Sequence, residues 1–401
     1  MKILFLHRNF PAQFRHIAPF LASDNDNEVV FITNNKSVEL PNVKKVCYEL
    51  KREVPKDCHQ YLRFYEESII HGQAVAEAAI ALKNQGFKPD IIYGHTWGQT
   101  LFMKDIFPDV PVLCYFEWFY NPIGSDIGFD GKVPNVDELA KLRTKNSHLL
   151  IDLYSCDGGI CPTKFQYKQF PKEFSHKIKV LHDGVDTDFC KPDENAQFLI
   201  ENKNLILTKS EEVLTYATRG MEAYRGFPQF MQAVEILQKK RPNLQVVIAG
   251  EDRICYGPKL LGTTYKKMML DKLDLDLERI HFVGSLPLNK YVNLLQISSA
   301  HVYLTYPFVC SWSLLDSMSC GCPIVASATE PVLEFIQDGE NGLLFDFYDI
   351  NKQVEKIEFA LENKDYMKNL SLNARKKILD EYSLKDLLPQ HVEYIKQLSK
   401  I

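Results

Sequence analysis

The sequence predicts an α/β protein built from two doubly wound, Rossmann-like parallel-sheet domains. Three observations carry this. The chain has 401 residues, enough for two domains at roughly 100–200 residues each. Short apolar strands alternate with amphipathic helices, the pattern of a parallel sheet covered on both faces. The alternation runs twice, on either side of a weakly periodic stretch at 188–204 that contains Pro192. The expected domains are 1–190 and 191–384, with a helix over 385–401 packing back on the first.

In the first half, 2–7 reads as a strand and 11–21 as a helix begun by Pro11, whose fixed φ suits a first helical turn. Strands are expected at 28–33 and 43–48, then a helix over 59–86 with Gly86 as its C-terminal cap. Strands at 90–94 and 112–115, a helix over 137–155, and short strands at 159–161 and 179–182 complete this half. The second half repeats the grammar with strands at 213–218, 244–250, 280–284, 300–305 and 323–326. Helices are expected at 226–240, 288–298, 312–320 and 332–337, and a helical tail over 352–401 with breaks near Asn363 and Ser383.

Composition excludes several classes. With 45% hydrophobic and 25% charged residues the chain is not disordered, and a formal net charge of −5 argues against an electrostatic nucleic-acid binder. No apolar run reaches the roughly 18 residues of a membrane span. His7, Arg8 and Asn9 interrupt the first apolar stretch where a secretory signal would continue, so a cytoplasmic protein is expected. The ten cysteines lack zinc-site or disulfide spacing and read as reduced, mostly buried thiols. Lys44, Lys45, Lys51, Arg52 and Lys56 alternate with acidic residues, so a solvated face is expected, with peripheral contact to anionic lipid at the inner membrane face as the alternative.

Ligands of doubly wound sheets sit beyond the carboxyl ends of the strands. Neither G-x-G-x-x-G nor a Walker A motif follows a strand here, which disfavours simple dinucleotide and P-loop enzymes. Instead, Ser311-Trp312-Ser313 opens a helix directly after a strand and a loop containing Val309. Free N–H groups and the positive dipole end suit a diphosphate there. Ser313 and Asp316 have capping-box spacing, and the Asp316 carboxylate lies one turn in, within reach of a ribose hydroxyl. Arg219 and Arg225 follow another strand, and their guanidinium forks suit one anion held from both sides. In the first half, His7, Arg8, His95, Trp97, Glu117, Trp118, Phe119 and Tyr120 cluster at or after strand ends. A carboxylate at a strand end such as Glu117 suits proton transfer, and the aromatics offer faces for stacking.

With these residues in view, the chain resembles the retaining glycosyltransferases of family 4, which have the GT-B fold. The resemblance is strongest at 180–189, 216–230, 279–305 and 312–345. It implies two domains facing a cleft, an N-terminal acceptor domain and a C-terminal nucleotide-sugar domain. It assigns Arg219 and Arg225 to the donor diphosphate, Arg225 replacing the family's Lys, and Asp316 to the second position of the paired-carboxylate motif. Phe308 stands where the first glutamate of that motif belongs, so the donor-sugar contact is expected from backbone N–H groups around 309–313. Glu117 stands where a subgroup departs from the usual histidine.

The resemblance implies a retaining hexosyltransferase that needs no metal or other cofactor. It takes a nucleotide diphosphate sugar as donor and a glycan, glycolipid or small hydroxyl compound as acceptor. Expected catalytic residues are Glu117, Arg219 and Arg225. Expected donor contacts are Arg219, Arg225, Val309, Ser311, Trp312, Ser313 and Asp316, and expected acceptor contacts are Arg8, His95, Trp97, Trp118 and Tyr120. Three D-x-D triplets, Asp24/Asp26, Asp186/Asp188 and Asp274/Asp276, read as acidic turns rather than metal sites. The alternatives are a nucleotide-binding protein with attenuated catalysis, for which Phe308 speaks, and a nucleotide-sugar epimerase. The sequence leaves the base, the sugar, the acceptor and the oligomeric state open.

Overall fold

The computed structural model describes residues 1–400, so the expected end of the tail helix at Ile401 lies outside the described residues. The chain forms two compact units: Met1–Gly184 together with the segment from Lys385 onward, and Val185–Leu384.

The first unit holds a seven-stranded parallel sheet: β1 (Lys2–Leu6), β2 (Glu28–Thr33), β3 (Val43–Cys47), β4 (Ile91–His95), β5 (Val112–Tyr115), β6 (Gly158–Cys161) and β7 (Ile178–Val180). Their spatial order is β3-β2-β1-β4-β5-β6-β7, so the order reverses between β1 and β4. Apolar residues fill both faces. Leu4, Leu6, Val30 and Ile92 pack on one side, Ile3, Phe5, Phe31 and Tyr93 on the other. The final helix, Leu384–Leu398, adds Leu387, Ile395 and Leu398 to the second of these cores.

The second unit begins with a two-stranded hairpin, β8 (Phe198–Ile200) and β9 (Leu205–Leu207). Its parallel sheet comprises β10 (Val213–Gly220), β11 (Gln245–Glu251), β12 (Ile280–Gly284), β13 (Ala300–Tyr303), β14 (Ile324–Ser327) and β15 (Leu343–Phe345). The order is β12-β11-β10-β13-β14-β15, reversing between β10 and β13. Both units are therefore doubly wound.

Several expected elements are corrected. The stretch after β1 is a short 3₁₀ turn, Ala12–Phe14, and a separate helix, Ile17–Ala22. The helix expected over 137–155 divides into Val136–Lys145 and Ser147–Ser155 around Asn146, whose side chain is engaged with the Tyr120 backbone. The expected helix at 332–337 is instead a single turn, Glu330–Leu333. The helix Tyr265–Lys272, capped by Thr264, and the β8–β9 hairpin fall where no clear periodicity stands. The first division between units lies after Gly184 rather than after residue 190. The Val185 N–H donates to the Tyr382 carbonyl (2.8 Å) and the Leu384 N–H to the Val185 carbonyl (2.8 Å), and Val185 and Cys190 join the second unit's core.

Candidate active site

Each sheet reverses its strand order once, and the expected site residues gather at those two points. In the second unit, β10 carries one extra residue between its pairings Ala217↔Ala249 and Gly220↔Glu251. This bulge breaks the strand's regular alternation, and Arg219, inside it, is exposed. Arg219 lines a cavity of about 180 Å³ with Thr218, Gly250, Arg253, Gly284, Tyr291, Ser311 and Ser313. Gly250 has φ +140°, and a Cβ there would lie 2.3 Å from the Thr218 carbonyl, so only glycine permits this floor.

Ser311 and Ser313 bring the start of the helix Trp312–Ser319 to the same cavity. The cap is Ser311, whose hydroxyl accepts from the Ser313 N–H (3.3 Å), while the Ser311 N–H donates to the Tyr303 hydroxyl (2.8 Å). The expected Ser313–Asp316 capping box is thus absent, because the helix begins two residues earlier than that spacing assumed. Asp316 is buried, with Cys190 Sγ 4.0 Å from its Oδ1. Trp312 is half-buried at the first helical position.

Arg225 is not part of that cavity lining. It is buried, donating from Nη1 to Thr305 Oγ1 (2.8 Å) and to the Val309 carbonyl (3.0 Å). Its guanidinium lies 5.0 Å from the centre of the Tyr256 ring, and the Tyr216 hydroxyl donates to its carbonyl (2.6 Å). The two arginines therefore differ in kind: Arg219 faces open space, whereas Arg225 braces the loop that leads into the helix.

Phe308 packs in a group of aromatic rings, 5.6 Å from Tyr224 and 5.2 Å from Tyr256 between ring centres. Of the backbone N–H groups around 309–313 expected to contact the donor sugar, those of Ser311 and Ser313 have internal acceptors.

The sequence reading missed Glu222. Its carboxylate is fully buried and accepts from three successive backbone N–H groups, Cys255 (3.1 Å), Tyr256 (3.0 Å) and Gly257 (2.8 Å). It thereby fixes the loop that carries Tyr256 against Arg225 and Phe308. A Glu between Arg219 and Arg225 was visible, but nothing in the sequence showed that its partners lie more than 30 residues on.

In the first unit, His7 directly follows β1 and His95 ends β4; both are fully buried, with ring centres 4.7 Å apart. Trp97 lies 4.0 Å from His95 between ring centres, and the Arg8 guanidinium is 4.6 Å from the centre of the Trp97 ring. Gly98 turns the chain after Trp97 with φ +101°; a Cβ there would meet the Ser68 carbonyl at 2.3 Å.

His7 Nδ1 accepts from the Asn9 N–H (2.8 Å), which puts any proton of the neutral ring on Nε2. Burial pushes His7 down to about 3 and holds His95 well below the usual histidine range, so both rings are neutral at pH 7. The Glu117 carboxylate accepts from Gln13 Nε2 (2.8 Å) and lies 3.8 Å from His95 Nε2. Gln166 Nε2 donates to the Glu117 carbonyl (2.7 Å), which fixes the backbone beneath it. Trp118 is buried 5.8 Å from Phe165, whereas Tyr120 is half-buried beside Lys145. The unit thus brings Arg8, His95, Trp97 and Glu117 together, and turns Trp118 into its interior.

Asp24, Asp186 and Asp276 each accept a backbone N–H two residues on, the geometry of an acidic turn. Among the described residues no cluster of three or more His, Cys, Asp or Glu is placed to hold a metal ion. The basic stretch is partnered: Lys45 with Glu39, Lys51 with Glu77 and Arg52 with Glu66. Among the described residues no helix is long and apolar enough to cross a membrane. All ten cysteines are free; Cys47 is exposed and Cys58, Cys255 and Cys310 are half-buried.

Comparison with known proteins follows the two units. Residues 25–190 match the family described as Glycosyl transferase family 4 group, and residues 198–377 match Glycosyl transferases group 1. Among solved structures, Alr3699/HepE of Anabaena in complex with UDP-glucose aligns with a TM-score of 0.72 at 15% identity, covering 99% of this chain and 100% of that one. Sucrose-phosphate synthase of Thermosynechococcus elongatus aligns with a TM-score of 0.73 at 14% identity, covering 99% of each chain. At such identities the likeness shows the GT-B fold.

Among curated proteins, the D-inositol 3-phosphate glycosyltransferase of Corynebacterium glutamicum is 22% identical over 193 residues, 47% of this chain and 44% of that protein. An uncharacterized glycosyltransferase of Haemophilus influenzae is 23% identical over 276 residues, 65% of this chain and 73% of that protein. The chain thus spans less than half the length of the Corynebacterium relative it matches.

Proposed function

The chain belongs among the family 4-like glycosyltransferases of GT-B fold, and from that premise we propose that it transfers a hexose from a nucleoside diphosphate sugar to a hydroxyl acceptor with retention at the anomeric carbon. The observation that carries the donor half is the cavity at the β10/β13 reversal, where an exposed arginine and a capped helix start line one small space. The departing diphosphate gains negative charge as the glycosidic bond breaks. A fixed cation and oriented N–H dipoles stabilise that charge without reorganising. Arg225 acts one step back, holding the Val309 carbonyl and so the entry to the helix.

On the acceptor side, Glu117 is the carboxylate of the first unit's crevice. Gln13 fixes one of its oxygens, and neutral His95 neither protonates it nor neutralises it. In this reading Glu117 orients the acceptor hydroxyl and relieves it of its proton. Because Arg219 and the helix start supply the positive charge, the reaction needs no divalent ion; a chelator should leave the rate unchanged. The attenuated-catalysis reading rested on Phe308. Its support weakens because Phe308 sits in an ordered aromatic group braced by Glu222 and Arg225.

The test is a thermal-shift screen of nucleoside diphosphates followed by donor-hydrolysis assays with the matching nucleotide sugars. One nucleotide should raise the melting temperature, and Arg219→Ala should abolish the rise. No rise with any common nucleoside diphosphate would sink the proposal. An epimerase would instead convert its donor with no acceptor present and without releasing nucleotide.

A further inference from the structure

The turn after β11 brings a second arginine to the cavity that Arg219 lines. Arg253 is exposed and shares that lining, about 180 Å³ in volume, with Arg219, Thr218, Gly250, Ser311 and Ser313. The Arg253 N–H donates to the Glu251 carbonyl (2.9 Å), so the chain doubles back as β11 ends. Glu251 is also the sheet partner of Gly220, which sets Arg253 beside the bulge that carries Arg219. A Cβ on Gly220 would lie 2.6 Å from the Arg253 carbonyl oxygen, so glycine at 220 is what lets the two segments touch. The two arginines therefore come from neighbouring strand ends, packed backbone to backbone, and open on one space.

None of the residues that line this space is acidic. Glu251 meets Arg253 at Nε, 2.7 Å from its Oε2, and both side chains are about half exposed. A pair so exposed contributes little and weakens with salt. It takes one N–H of a guanidinium that carries four more on its two terminal nitrogens. Asp252, between them in sequence, is engaged elsewhere: its carboxylate accepts from the Thr264 hydroxyl (3.0 Å). Arg225 makes the contrast. It is absent from the lining, and its Nη1 is engaged by the Thr305 hydroxyl and the Val309 carbonyl. With Arg219 alone a diphosphate would be underpaired. It carries more than one negative charge, spread over two phosphorus centres, and a helix start offers only about half a positive charge.

We propose that Arg253 is the second cation of the donor site and holds the diphosphate together with Arg219, in the role that the resemblance gives to Arg225. Two guanidinium forks on one small cavity suit two linked phosphate groups, and they make the site selective for diphosphates over monophosphates. The proposal rests on this cavity being the donor site.

Calorimetry on the full chain with inorganic pyrophosphate and inorganic phosphate tests this without a nucleobase. Pyrophosphate should bind at least ten-fold tighter than phosphate. Arg253→Ala should weaken pyrophosphate binding at least ten-fold, with no change in the melting temperature of the unliganded protein. Glu251→Gln removes the same ion pair but keeps the guanidinium, so it should bind pyrophosphate at least as tightly as the wild type. In the wild-type protein, pyrophosphate should slow phenylglyoxal modification of Arg253 at least five-fold, a readout that needs no variant to fold. Pyrophosphate binding no tighter than phosphate, wild-type affinity in Arg253→Ala, an equal loss in Glu251→Gln, or an unprotected Arg253 overturns the proposal. Pyrophosphate binding that depends on Arg253, without turnover of any nucleotide sugar, would overturn the transfer reading and leave this anion site standing. Turnover by Arg253→Ala at the wild-type donor KM would do the reverse.

Discussion

The two crevices share one topology and differ in chemistry. At the β10/β13 reversal the lining is open and permanently charged, with Arg219 beside small residues and a helix start. At the β1/β4 reversal the strand ends carry His7 and His95, fully buried, neutral and packed on Trp97. A leaving group that gains charge needs preorganised cations. In the proposed reaction, a hydroxyl that must lose a proton needs a carboxylate to take it, and Glu117 lies beside neutral His95. Topology fixes where each ligand goes, and side chains decide what it is.

The largest effect expected from breaking this contrast is at the arginines. Arg225→Ala leaves the Thr305 hydroxyl and the Val309 carbonyl without their donor, at about 1–3 kcal/mol for each buried group left unpaired. It should lower both the melting temperature and the transfer rate, the latter at least 100-fold. Arg219→Ala, at an exposed position, should cost comparable activity with no loss of stability, a separation that calorimetry on the two variants would show.

Next in size is Glu117→Gln, which retains a partner for Gln13 but cannot take a proton. The turnover number should fall at least ten-fold while nucleoside diphosphate affinity stays at the wild-type value; a change in donor affinity instead would move Glu117 to the donor side. Glu222→Ala should follow, because three backbone N–H groups lose their acceptor at once. A ten-fold rise in donor KM with a lowered melting temperature is expected, and Glu222→Gln should recover part of both.

Acidification should separate the units more gently. Burial depresses His7 and His182 to about 3 and His148 to about 4, all in the first unit, against about 4 for His301 in the second. Each depressed group binds its proton in the unfolded chain first, near 6.5, so its stabilisation is present above that value and is lost as the pH falls through the folded value. Hydrogen exchange at pH 7 and pH 5 should therefore show the first unit losing protection sooner. The smallest effect is at Asp152, raised by burial to about 7. Its contribution has the opposite sign, present at low pH and lost as the pH rises through 7. Asp152→Asn should thus raise the melting temperature more at pH 8 than at pH 5.

Much of this was legible in the chain. The short continuous apolar runs and the turns between them placed most strands within a residue or two, since burial on both faces of a parallel sheet demands such runs. Arg219, Ser311 and Glu117 could be singled out because strand ends and helix starts are readable locally. The break at Asn146 was not, because it answers to the Tyr120 backbone, 26 residues away in sequence. Phe308 was read as a missing carboxylate; its aromatic neighbours Tyr224 and Tyr256 come from two other loops.

The sequence by itself determined the fold class, the two-unit plan and the stretches that hold the sites, because hydrophobic period and turn chemistry act over a few residues. Tertiary structure alone decided which arginine faces space and which braces a loop. It also decided that Glu222 serves three backbone donors, and that Lys145 lies between the rings of Tyr120 and Phe64. Those outcomes depend on desolvation and on partners brought together from distant segments, and neither quantity exists until the chain has folded.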